Sequence, residues 1–272
     1  MKSRTKQSAG FTLLELIVAT GIFLIICATM FELLNLAQLK YNSETQVTAA
    51  YQDVHLAMDQ IVRDIDVSGF PSSEMFSGPL PAPVTQYASG PVAWSPAYPA
   101  APCLIGTGGG GTCATPGDYD LIVETTLPGD NFVSWIWYHL DPATLTLYRE
   151  VVPKNAGDPL AAVTGAGTKT ALVRNVVNVP GGLMPQITAT YPSMFPGSQP
   201  VPVFQYTCSV PVTVATPSGL QACPLAGANG APLNIRDVDV TLIVMTQQRD
   251  LQTQTLKLVE LFGRGHRANP TN

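Results

Sequence analysis

The chain is poor in charge. Only 12% of its 272 residues are Asp, Glu, Lys or Arg, about half the roughly 25% usual in soluble domains. The net charge is −5, so bulk electrostatics give no support to a nucleic-acid partner. Histidine is scarce: His55, His139 and His266 are scattered, and no C-x-x-C pair occurs. That removes the usual zinc spacings. No G-x-S-x-G occurs either, and no histidine stands near a candidate nucleophile, which leaves the common hydrolase arrangements without their parts. The glycine-rich stretch Gly106–Thr112 lacks the Lys-Ser/Thr of a phosphate-binding loop. Asp118, Asp120, Glu124, Asp130 and Asp141 supply acids. Their spacing fixes no carboxylate pair, and they form no D-x-[DN]-x-[DN]-G calcium loop. The sequence therefore predicts no metal, no cofactor and no enzyme.

Proline is absent as far as Phe70, and all 24 prolines follow. The proline-free part holds the one long apolar run. A leader with Lys2, Arg4, Lys6 and no acid ends at Gly10, and the apolar residues start abruptly at Phe11. Residues 16–31, LIVATGIFLIICATMF, carry no charge. With Phe11–Leu14 before Glu15 and Leu33–Leu39 after Glu32, the run exceeds the roughly 20 residues that span a bilayer. The basic leader stays on the cytoplasmic side, which puts the C-terminal bulk outside. A secretory signal peptide would need a small-residue cleavage site beyond the apolar core, and Phe31-Glu32-Leu33-Leu34-Asn35-Leu36 offers none. A plain signal anchor is the remaining alternative. Glu15 is the telling residue. A carboxylate inside a membrane segment costs roughly 2.5–3.5 kcal/mol on insertion scales, so it needs either a partner or a route to the headgroups.

Helical periodicity continues past the apolar run. Val47, Tyr51, Val54, Met58, Ile61 and Ile65 recur at spacings of three and four, one face of an amphipathic helix. Asp59 and Arg63 stand at i, i+4 on the polar side, and Gly69 and Pro71 supply the stop. One helix over 11–67 would be roughly 85 Å long. Residues 69–118 then hold nine prolines and nine glycines and read as a long connection with little regular structure. Candidate strands follow at Tyr119–Leu127, Phe132–Leu140, Thr144–Val152, Thr170–Val179, Gln186–Tyr191, Val203–Val214, Val238–Gln247 and Gln254–Phe262. Asp141-Pro142-Ala143 makes a hairpin turn between the second and third. A helix followed by an antiparallel meander is an α+β chain. The tail 264–272 is polar and expected to be mobile.

Five cysteines fall into two groups. Cys27 lies in the apolar run and reads as an inert thiol. Cys103, Cys113, Cys208 and Cys223 lie in the exported part and permit three pairings. Local bonds, Cys103–Cys113 and Cys208–Cys223, are the simplest, since each pair brackets a Gly/Pro-rich loop and an oxidising compartment favours them.

The junction Ala9-Gly10-Phe11-Thr12-Leu13-Leu14-Glu15 strongly resembles the class III signal of type IV prepilins and type II secretion pseudopilins. Ala57–Ile65 followed by Gly69-Phe70 resembles the end of the first helix in PilW-like minor pilins and J-type pseudopilins. So do Ser134–Tyr138, Leu145-Thr146-Leu147-Tyr148-Arg149 and Ile235–Leu242, taken as head strands. Residues 70–118 match no stretch of that family. The resemblance implies a pilin-like fold, a long N-terminal helix packed on an antiparallel β-sheet head. It divides the chain into a leader (1–10), a transmembrane or filament-core helix (11–39), an amphipathic helix (40–68), the Pro/Gly-rich connection (69–118), a β-rich periplasmic head (119–263) and the tail (264–272).

It also implies that Gly10–Phe11 is cut by a prepilin peptidase, that the new Phe11 amine is methylated, and that Glu15 pairs with the amine of a neighbouring subunit. The implied partners are that peptidase, other pilins or pseudopilins, an inner-membrane assembly platform and membrane lipid, with DNA only in a competence pilus. The implied location is the inner membrane, single-pass, and afterwards the filament. The membrane helix lacks the proline common in major pilins, and the chain is long for one; both point to a minor subunit that primes or caps a filament. A J-type pseudopilin and a tip adhesin are the alternatives. The adhesin would use residues 69–118, with Tyr87, Trp94 and Tyr98, or the Cys208–Cys223 loop; a membrane-anchored periplasmic enzyme comes last.

Overall fold

The computed structural model describes residues 12–72, 75–76, 84–93, 117–155, 157–166, 168–179, 184–223, 234–250 and 253–267. Gly10, Phe11, Trp94, Tyr98, Cys103, Cys113 and the glycine run 106–112 lie outside them. Helix α1, Leu13–Asp66, is unbroken for 54 residues, about 80 Å. Thr12 caps its start, and Val67 closes its end with a bond from its N–H to the Arg63 carbonyl. Gly69 then turns the chain back at φ +81°, a left-handed conformation that glycine adopts without a Cβ clash. Its N–H reaches the Glu124 carbonyl at 2.7 Å.

The head is two antiparallel four-stranded sheets instead of the single meander expected. The first runs β1 (Asp120–Thr126), β2 (Val133–Asp141), β3 (Thr146–Pro153), β4 (Thr168–Arg174) in that order. The second places β5 (Phe204–Ser209) between β6 (Leu220–Ala222) and β7 (Ile235–Met245), with β8 (Leu258–His266) outermost. Strand β7 joins them. Its early residues pair with β5, while Val176 bridges Val244 and the Met245 N–H reaches the Asn175 carbonyl at 3.0 Å. Asn178, fully buried, fills the gap between the two pairings. Its Nδ2 donates to the Thr241 carbonyl at 2.9 Å, and its Oδ1 accepts the Ile243 N–H at 2.9 Å. The side chain thus continues the ladder where no backbone reaches, which a buried amide must do to stay satisfied.

Several expectations shift. Gln186–Tyr191 is not a strand; helix α3, Met184–Thr190, stands there. Ile187 and Thr188 favour strands in isolation, but here Ile187 packs on Val177, Phe195 and Ile243, and tertiary burial overrides propensity. Helix α2, Pro159–Ala166, has no counterpart among the sequence expectations. Its signal was Asp158-Pro159: the Asp158 carboxylate accepts the Leu160 N–H, and proline suits the first helical position. Thr170–Val179 breaks at Asn175, where φ is +59°. Strand β8 runs to His266, so Arg264–His266 belong to the head and not to a tail; Arg267 beyond them is buried. In the connection, residues 91–93 pair along the free edge of β1, with Ala93 N–H to the Ile122 carbonyl at 2.9 Å. That covers an otherwise exposed edge.

The core lies where the second half of α1 meets the inner faces of both sheets. Val54, Ala57, Met58, Ile61 and Ile65 are buried against Leu121, Ile136, Tyr138, Val238, Val240 and Leu242. Each large aliphatic so buried contributes about 1.5–3 kcal/mol. Tyr51, expected in that stripe, is 48% exposed, because it flanks the line Ser43, Gln46, Val47, Ala50 and Val54 along which the head meets α1. Asp59 and Arg63 do not pair; Asp59 lies 3.2 Å from His55, and Arg63 donates to Gln60. Two glycines of β8 set the helix's approach. A Cβ on Gly263 would stand 2.4 Å from the Met58 sulfur, and one on Gly265 2.4 Å from Ile65 Cγ2.

Gly265→Ala should therefore destabilise the chain by about 1–3 kcal/mol, as overpacking does. Gly263→Ala should cost less, because the Met58 thioether can move and β-branched Ile65 cannot. Gly165→Ala, with nothing within 4 Å, should be neutral. Thermal unfolding of the full-length protein in detergent checks this order; an unchanged midpoint for Gly265→Ala would refute the close approach.

Candidate functional site

The first half of α1 is apolar and uncovered. It is unburied and is long and apolar enough to cross a membrane. Glu15 sits in its first turn. Thr12 donates to Glu15 Oε2 from both its N–H and its hydroxyl, each at 3.0 Å, while the Glu15 N–H donates to the Thr12 hydroxyl at 3.3 Å. This is a reciprocal capping box. Both bonds use Oε2, and Oε1 has no hydrogen-bond partner among the described residues. The carboxylate borders an apolar hollow lined by Leu14, Val18, Ala19 and Ile22. Thr12 was not among the residues expected to matter, though T-x-x-E before an apolar run is the signal of such a box.

A second constellation joins helix to head. Asp64 is buried, and its Oδ2 accepts from the Tyr138 hydroxyl at 2.6 Å and from Arg149 at 2.8 and 3.1 Å. Gln60 donates to the other oxygen at 2.8 Å. Burial, then the Asp64 charge, raises the Tyr138 hydroxyl far above its ordinary range, so it stays a donor. These three residues come from three of the stretches that carry the pilin resemblance: Ala57–Ile65, Ser134–Tyr138 and Leu145–Arg149. The spacing of those stretches gave no hint that they meet.

A third pins the connection to the first sheet. Fully buried Glu124 faces Lys154 Nζ at 2.5 Å and accepts the Ser89 N–H at 2.9 Å. Lys154 also donates to the Tyr87 carbonyl and the Ser89 hydroxyl at 2.8 and 2.7 Å. Tyr87 packs on Lys154 and Phe76, as a structural aromatic would. Of the five acids considered for a carboxylate pair, Glu124, Asp120 and Asp141 have separate side-chain partners. Asp120 accepts the Trp137 indole N–H, Asp141 caps its own turn through Ala143 and Thr144, and the Asp118 carbonyl accepts from Val203 and Phe204. Among the described residues no group of three His, Cys, Asp or Glu could hold a metal. Cys208 and Cys223 are disulfide-bonded, and Cys27 is a free thiol. The loop they close exposes Val212 and Val214.

On the outer face of the first sheet His139 is stacked between Trp137 at 3.9 Å and Tyr148 at 5.3 Å. Its buried Nδ1 lacks a hydrogen-bond partner. Glu150 is 3.9 Å away, and burial raises that carboxyl's own pKa. Burial, aided by the Lys169 charge, lowers the imidazole to about 4.

The prokaryotic N-terminal methylation motif matches residues 5–31 as a family model. No curated protein and no solved structure matches the chain. The motif supports a type IV pilin-like subunit, and the apolar helix that carries it fits membrane anchoring.

Two outcomes follow from the head. Asp64→Ala should cost about 3 kcal/mol, the low end for a broken buried pair because Arg149 keeps 19% of its side chain exposed. Asp64→Leu with Arg149→Met should recover much of it; denaturant unfolding reads both, and equal losses would contradict the pairing. His139 is neutral in the folded state at pH values where the unfolded chain binds a proton. Its contribution is full above about 6.5 and is lost as pH falls through about 4. His139→Phe should flatten stability against pH in that window, and identical slopes would refute it.

Proposed function

We propose that the chain is a minor pilin or pseudopilin, a structural subunit that primes or caps a type IV pilus-like filament. The methylation motif at residues 5–31 carries this reading. Cleavage falls between Gly10 and Phe11, the Phe11 amine is methylated, and α1 becomes the filament-core helix. Before assembly the helix anchors the subunit in the inner membrane, with the head in the periplasm.

Glu15 is the assembly residue. Its Oε2 is engaged by its own cap, and Oε1 has no partner among the described residues and lies beside an apolar face. A neighbouring subunit's amine docking on Oε1 would compensate the carboxylate's burial without dismantling the cap. The buried Asp64–Tyr138–Arg149 anchor then transmits the position of the helix to the head. A tip location suits a head with two sheets and a long connection, which would crowd every repeat of a packed helix. Exposed Val212 and Val214, on the loop closed by Cys208–Cys223, are the observation that favours a tip adhesin as second reading.

Glu15→Ala should be processed normally and be absent from filaments, whereas Thr12→Ala, which removes only the hydroxyl cap, should still be incorporated. Mass analysis of the processed chain and immunoblotting of isolated filaments separate the two steps. Filaments holding Glu15→Ala at the wild-type level would overturn the role of Glu15.

A further inference from the structure

The lowest part of the described head is the hairpin between β7 and β8, and it reaches down α1 to the end of the apolar run. Ser43 donates to Asp250 Oδ2 at 2.8 Å, and Gln46 donates to Gln248 at 3.2 Å. A cleft of about 300 Å³ opens there between helix and hairpin, with Leu39, Tyr41 and Asn42 on one wall and Arg249 and Lys257 on the other. Leu39, the last apolar residue of the run, is half-buried by this contact, while Leu33, Leu34 and Leu36 below it are 66, 59 and 48% exposed. Leu13–Leu39 makes about 40 Å of helix, longer than the roughly 30 Å of hydrocarbon. Tilt takes up the excess and brings Leu39 to the outer boundary, with Leu33, Leu34 and Leu36 in lipid and Glu32 reaching toward the headgroups. From Leu39 to Ser43 the helix rises about 6 Å. The polar headgroup layer is about 5–8 Å deep on each side of a bilayer. The hairpin is therefore held at the level of the phosphates by hydrogen bonds to the helix that spans the membrane.

The chemistry there fits that level. Arg249 is exposed and tied back by a bond from Nη1 to the Gln254 carbonyl at 3.0 Å. Lys257 stands 3.0 Å from Asp250 with 37% of its side chain open. Lys40 and Tyr41 are exposed on the helix immediately after Leu39, a cation and an amphipathic ring of the kind found at membrane interfaces. We propose that this hairpin is a membrane-surface foot. In the membrane-held subunit Lys40, Arg249 and Lys257 contact the phosphates of anionic phospholipids, and the foot fixes how far α1 stands out of the bilayer before extraction into a filament. The proposal rests on the reading of α1 as the membrane helix.

Full-length protein in nanodiscs, with Cys27→Ser to leave one label site, tests it by spin-label depth measurements. Three positions are labelled one at a time: Ile25→Cys within the apolar run, Gln247→Cys on the exposed hairpin, and Arg63→Cys about 30 Å further along α1. The expected result is Ile25 in the hydrocarbon, Gln247 at the phosphates and Arg63 in water. Replacing zwitterionic discs by discs with 30% anionic lipid should at least halve the collision rate of the Gln247 label with a water-soluble relaxant. Lys40→Gln with Arg249→Gln should abolish that difference, with the Lys257–Asp250 pair left intact. A Gln247 label as water-exposed as Arg63, or one indifferent to anionic lipid, would overturn the foot while Ile25 still reported a spanning helix. An Ile25 label in water would overturn the membrane reading itself.

Discussion

One helix must satisfy two environments, and the remainder of the molecule is arranged around that constraint. The first half of α1 exposes an almost wholly apolar surface, with Glu15 and Glu32 its only charges before Lys40. The second half offers a stripe that is stable only under a protein cover. No proline or glycine breaks the helix between its apolar and head-facing halves, so the two are one rigid rod. Whatever holds the second half to the head thereby fixes the first half relative to it. That hold is made of the Val54–Ile65 stripe, the two β8 glycines that let the rod come close, and Asp64 bonded to Tyr138 and Arg149. A buried acid is costly unless its lone pairs are taken. Asp64 has them taken by three different residues, from α1, β2 and β3, which gives the docking a defined register as well as energy.

The sheets follow from the same need. A single four-stranded sheet covers one side of a helix; two sheets, bridged at Val176 and Val244 of β7, cover more of it, and Asn178 closes the seam between them. The connection after α1 is fastened by Glu124 and Lys154 and by pairing on the β1 edge, so its described parts act as a cover for the first sheet. Of the acids that on paper resembled catalytic candidates, Glu124, Asp120 and Asp141 each hold a structural contact of their own.

Much of this was legible in the sequence, for physical reasons. Helix α1 stood out because a proline-free apolar run and a 3–4 spacing agree over more than fifty residues. The β2–β3 hairpin stood out because Asp141-Pro142-Ala143 separates two alternating strands. The Cys208–Cys223 bond follows from two cysteines bracketing a short loop. What failed to show was long-range. Ile187 and its neighbours read as a strand because only Phe195 and Ile243 make them a buried helix. The seam between the two sheets is closed by one asparagine side chain, which no periodicity records. Charge content marked Glu15 and passed over Asp64, since an acid on an amphipathic helix looks like a solvated face until Arg149, 85 positions on, comes to meet it. The Thr12–Glu15 box was readable and went unused.

The proposed role of the working subunit depends on where its N-terminus lies. Intact-mass measurement and N-terminal sequencing of membrane-extracted protein, with and without a co-expressed prepilin peptidase, test it most directly. The expected result is a peptidase-dependent loss of residues 1–10 and a methylated Phe11 at the new terminus. A chain left uncut in the presence of the peptidase, or one cut beyond the apolar run, would contradict it.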